Sequence, residues 1–153
     1  GTIGEELSKF AIEVDSHPRI NHEILYKLHP GEYNRWQDKY PWLEDANFEI
    51  VDSSEPPLYE IFANSSVQVG VNSTAIYEGL YFDLETYIFD CRGTDVMDPL
   101  IREKSAKQVT SADELASSLG EKNTQVESKH YFSANASEQM CKTLRHLADQ
   151  GTV

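Results

Sequence analysis

The chain has 153 residues, enough for one domain with a proper core, and carries 26 acidic against 13 basic side chains, a formal charge of −13. That balance excludes a general nucleic-acid binder, which needs a basic face to neutralise phosphates. It leaves room for a small anion held by a few backbone amides and one or two cations.

Two cysteines, Cys91 and Cys141, make neither a disulfide framework nor a zinc spacing. No apolar run approaches the length that spans a bilayer. A reduced, cytoplasmic setting is the expectation. No cofactor and no metal site is implied.

In chain order, Thr2 and Glu5 form a capping box ahead of a helix whose apolar face is Leu7, Phe10, Ala11 and Val14. A helix this close to residue 1 normally follows a strand, so the chain reads as part of a longer polypeptide. The spacing predicts a strand over His22–Leu28, stopped by His29-Pro30-Gly31. A helix over Tyr33–Tyr40 is predicted next, with Tyr33, Trp36 and Tyr40 packing on the sheet. Phe48–Val51 is the second strand, and Pro56 and Pro57 open the helix that follows.

Val67–Val71 reads as the third strand. It breaks at Asn72-Ser73-Thr74 and gives way to a helix over Thr74–Phe82. A strand, a tight turn of hydroxyl residues and a helix start make a ready anion site. Helix capping by Ser73 or Thr74 is the plainer reading of the same residues. Gly79 inside that helix costs about 1 kcal/mol against alanine, which points to close packing or ligand approach. Glu85–Phe89 is the fourth strand, a short helix follows around Pro99–Ser105, and Lys107–Val109 is the fifth strand. Ser111 and Glu114 start another helix, ended by Gly120. Glu121 to Lys129 reads as a polar loop, and Ser137–Gln150 as an amphipathic helix with Met140, Leu144 and Leu147 on one face.

Strands alternating with helices imply an α/β fold, a parallel sheet of about five strands with helices on both faces. Ligands of such sheets lie beyond the carboxyl ends of the strands. The loops expected there are Gly1–Gly4, His29–Glu32 and Asn72–Thr74, with Asp90–Gly93 as a fourth. Together they offer an imidazole, hydroxyls, amides and glycines, a combination suited to a phosphate group.

The pair KLHPGE at Lys27–Glu32 and NSTAIYEGL at Asn72–Leu80 resembles the nucleotide-binding half of GT-B-fold glycosyltransferases. The likeness is to bacterial sialyltransferases and polysialyltransferases, with their His-Pro and Ser-Ser or Ser-Thr motifs, and to capsule and teichoic-acid polymerases that use CDP-glycerol. It covers roughly Gly1–Leu119. A second His-Pro, His17-Pro18, lacks the strand before it.

The resemblance implies a Rossmann-like donor-nucleotide-binding domain over residues 1–120, with 121–153 as a loop and helix packed on it. It makes His29 a phosphate contact and a catalytic general acid toward the leaving group. Pro30 and Gly31 would shape its loop, Ser73 and Thr74 would hold phosphate oxygens, Glu78 would meet the ribose hydroxyls, and Thr2 would complete the nucleotide-binding set. An imidazole near neutral pKa can deliver a proton, and fixed donors stabilise charge developing on phosphate.

The same families carry an acidic-acidic-glycine motif for the base in their amino-terminal domain; here Glu5-Glu6 is followed by Leu7. The expected function is therefore the donor half of a glycosyltransferase of bacterial capsule or surface polysaccharide synthesis, inactive alone. Its partners would be a cytidine-nucleotide-activated sugar or a CDP-glycerol-type donor, and an amino-terminal acceptor domain of the same polypeptide, with no nucleic acid. The full-length protein would be cytoplasmic, with a peripheral position at the inner membrane as an option. A UDP-sugar epimerase-like GT-B domain and a non-catalytic α/β binding module are the alternatives.

Overall fold

A computed structural model describes residues 2–91, 97–121 and 129–133. It is an α/β fold with parallel strands β1 (Glu23–Lys27), β2 (Glu49–Val51), β3 (Val67–Gly70), β4 (Glu85–Phe89), β5 (Lys107–Val109) and β6 (Lys129–Ser133) in the order β2-β1-β6-β3-β4-β5. The helices are α1 (Ile3–Asp15), α2 (Trp36–Lys39), α3 (Leu58–Ala63), α4 (Ala75–Tyr81), α5 (Asp98–Arg102) and α6 (Ala112–Glu121).

Alternation along the strands divides the core between two faces. Ile24, Tyr26 and Leu28 of the β1 segment, Val67, Val69 and Val71 of the β3 segment, and Tyr87 of β4 pack with Leu7, Phe10, Ala11 and Val14 of α1 and with Leu115 and Leu119 of α6. On the opposite face Leu25 and Val51 meet Leu58, Ile61 and Phe62 of α3, while Ile88 meets Ile76, Met97 and Leu100. Helices thus cover both faces, and β3 is buried along its whole length, as a central parallel strand must be.

Local chemistry sets the element ends. The Thr2 hydroxyl accepts from the Glu5 amide at 3.1 Å and the Glu5 carboxylate accepts from the Thr2 amide at 2.7 Å, a complete capping box. At α6 the Glu114 amide donates to Ser111 Oγ at 3.2 Å, but the Glu114 carboxylate reaches one residue further back, to the Thr110 amide.

Two elements differ from expectation. The helix predicted over Tyr33–Tyr40 shrinks to a 3-10 turn at Pro30–Glu32, the single turn α2, and a second 3-10 turn at Pro41–Asp45. Pro41 disfavours helical backbone at Tyr40 and ends the first run. Trp36 and Tyr40 are nonetheless buried, packing as expected.

The second difference is β6, the sixth strand. It runs Lys129-His130-Tyr131-Phe132-Ser133, starting on the last residue of the stretch expected to be a polar loop, and shows no period-two alternation. The strand belongs to the segment expected to form a loop and helix, yet it occupies the middle of the sheet, parallel to β1 and β3. The helix expected over 137–150 lies outside the described residues, as do Gly1 and the Arg92-Gly93 half of the loop at Asp90–Gly93.

Candidate functional site

From β1 the chain runs one way across the sheet to β2; from β3 it runs the other way through β4 to β5, with β6 between. In open parallel sheets ligands bind outside the carboxyl edge where strand order reverses. Lys27, Ser133 and Gly70 are in register across β1, β6 and β3. The loops that begin at His29 and Asn72 therefore leave the same edge, one strand apart.

His29 caps the 3-10 turn that follows β1. Its Nδ1 accepts the Gly31 amide at 3.0 Å, and its own amide donates to Glu32 Oε1 at 3.3 Å. With Nδ1 accepting, the neutral ring carries its proton on Nε2. Pro30 supplies a fixed φ at the first position of the turn. A Cβ at Gly31 would lie 3.2 Å from His29 Nδ1, so glycine permits the close approach of the ring.

Glu32 ties this loop to the rest of the edge. Its Oε2 accepts from Lys39 Nζ at 3.3 Å and from the Tyr40 hydroxyl. The Tyr40 phenol is held well above its usual pKa by burial, reinforced by the Glu32 carboxylate it bonds. Its hydroxyl sits where a Cβ on Gly4 would stand, 2.0 Å away, so the glycine lets the start of α1 press against the His29 loop. Thr2 is thereby brought to this edge, but its amide and hydroxyl are both engaged in its capping box.

The second loop is less open than its sequence suggests. Ser73 is 2% exposed and its Oγ accepts the Ala75 amide at 3.1 Å, so it shapes the turn into α4. Thr74 is exposed at the N-cap of α4 and makes no side-chain capping bond. Glu78, the residue assigned to ribose, is 3% exposed within α4. Gly79 has a packing role: its Cβ would fall 2.2 Å from Gln68 Oε1. The buried Gln68 amide donates to the Ile76 carbonyl at 2.8 Å and to Thr86 Oγ1 at 2.9 Å.

Two residues at this edge escaped sequence reasoning. Asn72 Oδ1 is buried without a hydrogen-bond partner among the described residues, an exception to the rule that buried polar atoms are satisfied. Its place directly after a strand and before two hydroxyl residues was the available signal. Lys27, the last residue of β1, is 1% exposed. Its Nζ donates to the Leu28 carbonyl at 3.3 Å, the Ser53 carbonyl at 3.2 Å and the Tyr33 hydroxyl, and lies 4.5 Å from the centre of the Tyr33 ring. Burial lowers its pKa to about 8, against the pull of Asp52, which acts to raise it. Asp52 in turn accepts from Trp36 Nε1 at 3.0 Å. The lysine thus joins the ends of β1 and β2 to the segment carrying His29. A lysine closing an otherwise apolar strand was its only mark.

A cavity of about 430 Å³ adjoins the His29 turn, lined by Gly31, Glu32, Arg35, Asp38 and Lys39, within the range of small-molecule sites. Another of about 390 Å³ lies at the amino ends of β4 and β5, among Thr86, Ile101, Lys104 and Gln108. It is on the wrong edge of the sheet to share the chemistry of His29. Among the described residues no group of His, Cys, Asp and Glu could hold a metal ion, and no helix is long and apolar enough to cross a membrane. No protein-family model matches the chain, and neither does a curated protein or a solved structure.

Proposed function

We propose that this chain is the donor-nucleotide-binding domain of a GT-B-type glycosyltransferase, taking a cytidine-nucleotide-activated donor in the assembly of a bacterial surface polysaccharide. One observation carries the reading: the loops beginning at His29 and Asn72 flank the carboxyl end of β6 where strand order reverses. The strand order supports it too, because it is the doubly wound order 3-2-1-4-5-6 with the place of the first strand filled by the last. The two motifs that resemble the sialyltransferase and capsule-polymerase families fall on these two loops.

In this reading His29 Nε2 donates a hydrogen bond to a phosphate oxygen of the departing nucleotide and stabilises the charge that develops there, while the ring keeps its proton. Asn72 Oδ1 accepts from a ribose hydroxyl or from the exocyclic amine of cytosine, which ends its lack of a partner. Ser73 acts through the shape of the turn, and Thr74 borders the phosphate at the start of α4. The cavity beside Gly31 and Arg35 extends the site toward the transferred group. A second domain supplies the acceptor surface and the base.

Calorimetric titration of the chain with CMP, CDP and UDP tests the proposal. The cytidine nucleotides should bind weakly and ahead of UDP, because only one wall of an interdomain cleft is present, and no sugar should be transferred. Absence of any nucleotide binding at millimolar concentration, or robust transfer by the chain alone, would overturn it.

A further inference from the structure

Lys27 closes β1 two residues before His29, and its amine reaches both sides of the turn that carries the imidazole. The residue is 1% exposed. An ammonium has three protons to donate, and three acceptors surround this one: the Leu28 carbonyl at 3.3 Å, the Ser53 carbonyl at 3.2 Å and the Tyr33 hydroxyl. Donors and acceptors match, so no proton of the amine is left for a ligand.

These acceptors bracket the His29 turn. The peptide group between Leu28 and His29 is held at both poles, its oxygen by Lys27 Nζ and its N–H by Glu32 Oε1. Tyr33, which caps the far end of the 3-10 turn at Pro30–Glu32, is held by the same amine through its hydroxyl, with its ring centre 4.5 Å from Nζ. The third acceptor lies just after β2, where Ser53 is fixed in a turn of its own by donating Oγ to the Glu55 carbonyl at 2.9 Å. One amine therefore fastens the entry and the exit of the His29 turn to the end of the neighbouring strand.

Joining β1 to β2 does not need this lysine. The two strands pair over Leu25–Lys27 and Glu49–Val51, and the Leu28 amide extends the ladder by donating to the Val51 carbonyl at 3.1 Å. An amine taken out of water is a costly way to fill space that a methionine of similar length would fill. What the amine alone supplies is the hold on Leu28 and Tyr33, on either side of His29.

We propose that Lys27 is the positioning residue of the nucleotide site: by fixing both ends of the His29 turn against the end of β2, it sets where the imidazole Nε2 meets the phosphate, without touching the ligand. The identity of the ligand rests on the function proposed above; the ordering of the turn does not. Lys27 acts through His29, so the effects of the two residues on binding are coupled, as those of residues in one network are.

A double-mutant cycle on the full chain, read by NMR titration with CMP, tests this. Lys27→Met should lose about ten-fold in CMP affinity in the wild-type background and nothing further in His29→Asn, where the imidazole donor is already gone. An equal loss in both backgrounds would overturn the proposal, because the amine would then act on the ligand by its own charge or through the fold as a whole. Unchanged affinity in Lys27→Met would overturn it too. Nitrogen-15 relaxation tests the turn without ligand. The order parameters of Gly31 and Glu32 should fall from about 0.85 to below about 0.6 in Lys27→Met, while those of β3 keep the rigid value. A turn that stays rigid without the amine refutes the positioning role. Should no nucleotide bind, the proposed function fails and relaxation alone decides the role of Lys27. If Lys27→Met does not fold, Tyr33→Phe replaces it in both experiments: it removes one acceptor and keeps the ring beside the amine. It should loosen the turn and weaken CMP binding by a smaller factor, again only where His29 is present, and no effect in either readout would sink the idea.

Discussion

Lys27 and Gly70 stand in register with the same residue, Ser133 of the strand between them, so β1 and β3 end level. Two strand spacings, about 10 Å, separate them. The loops that follow are held at a distance one phosphate-bearing ligand can bridge. The consequences of this placement can be measured residue by residue.

His29 serves its loop through one nitrogen and can serve a ligand through the other. His29→Ala should lose both roles, with a stability cost of roughly 0.5–1.5 kcal/mol for the Gly31 amide bond and about ten- to a hundred-fold in nucleotide affinity. His29→Asn keeps an acceptor for the Gly31 amide, as asparagine does at helix caps, and removes the distal donor. Its melting temperature should match the wild type while CMP affinity falls as in the alanine variant. Equal CMP affinity in all three proteins would remove His29 from the site.

For Ser73 the expected effect is on stability. Its buried Oγ accepts the Ala75 amide, so Ser73→Ala should cost about 1–2 kcal/mol and change nucleotide affinity little. Urea denaturation beside calorimetry separates the two. A large affinity loss with unchanged stability would mean that the hydroxyl meets the ligand directly.

Gly79→Ala should destabilise the protein although alanine is the better helix former by about 1 kcal/mol. The new methyl would fall on the Gln68 amide group, 2.2–2.5 Å from its heavy atoms, and that group is buried and bonded to Ile76 and Thr86. Displacing it leaves buried polar atoms unpaired, about 1–3 kcal/mol each. The net expectation is a loss of about 1–2 kcal/mol, checked by urea melts. A gain in stability would show that Gln68 can move aside.

The buried Lys27 predicts a pH profile. Its pKa falls from 10.5 to about 8 on folding, so between those values the unfolded chain binds the extra proton and stability rises with pH. Tyr26, Tyr33 and Tyr40 are all raised by burial; they resist ionising in the fold, so stability falls once pH passes the ordinary tyrosine value. Denaturation from pH 7 to 10.5 should show a rise above about 8 that is absent in Lys27→Met. Parallel profiles for the two proteins would mean that the amine is solvated.

Five strands, most of their helices and the Thr2–Glu5 capping box were legible in the sequence because each rests on local signals. Val67, Val69 and Val71 alternate on their own account, Thr2 and Glu5 need only each other, and His29-Pro30-Gly31 stops a strand wherever the strand lies. The parallel arrangement followed from the alternation, and with it the common edge for the loops that carry His29 and Ser73. What the sequence could not determine was set by neighbours distant in the chain. β6 takes its place because β1 and β3 leave an unpaired ladder on either side of it, and within Lys129–Ser133 only the aromatic pair Tyr131-Phe132 favours a strand. Ser73 and Glu78 look like surface residues of a polar turn and a helix, and are buried because α4 lies against the sheet. Gly79 is reserved for the Gln68 side chain eleven residues away in sequence, and the lowered pKa of Lys27 comes from its burial among Tyr33, Asp52 and Ser53. Backbone propensity and capping act over a few residues and can be read directly; burial, and the ionisation it controls, depend on which elements the tertiary structure brings together.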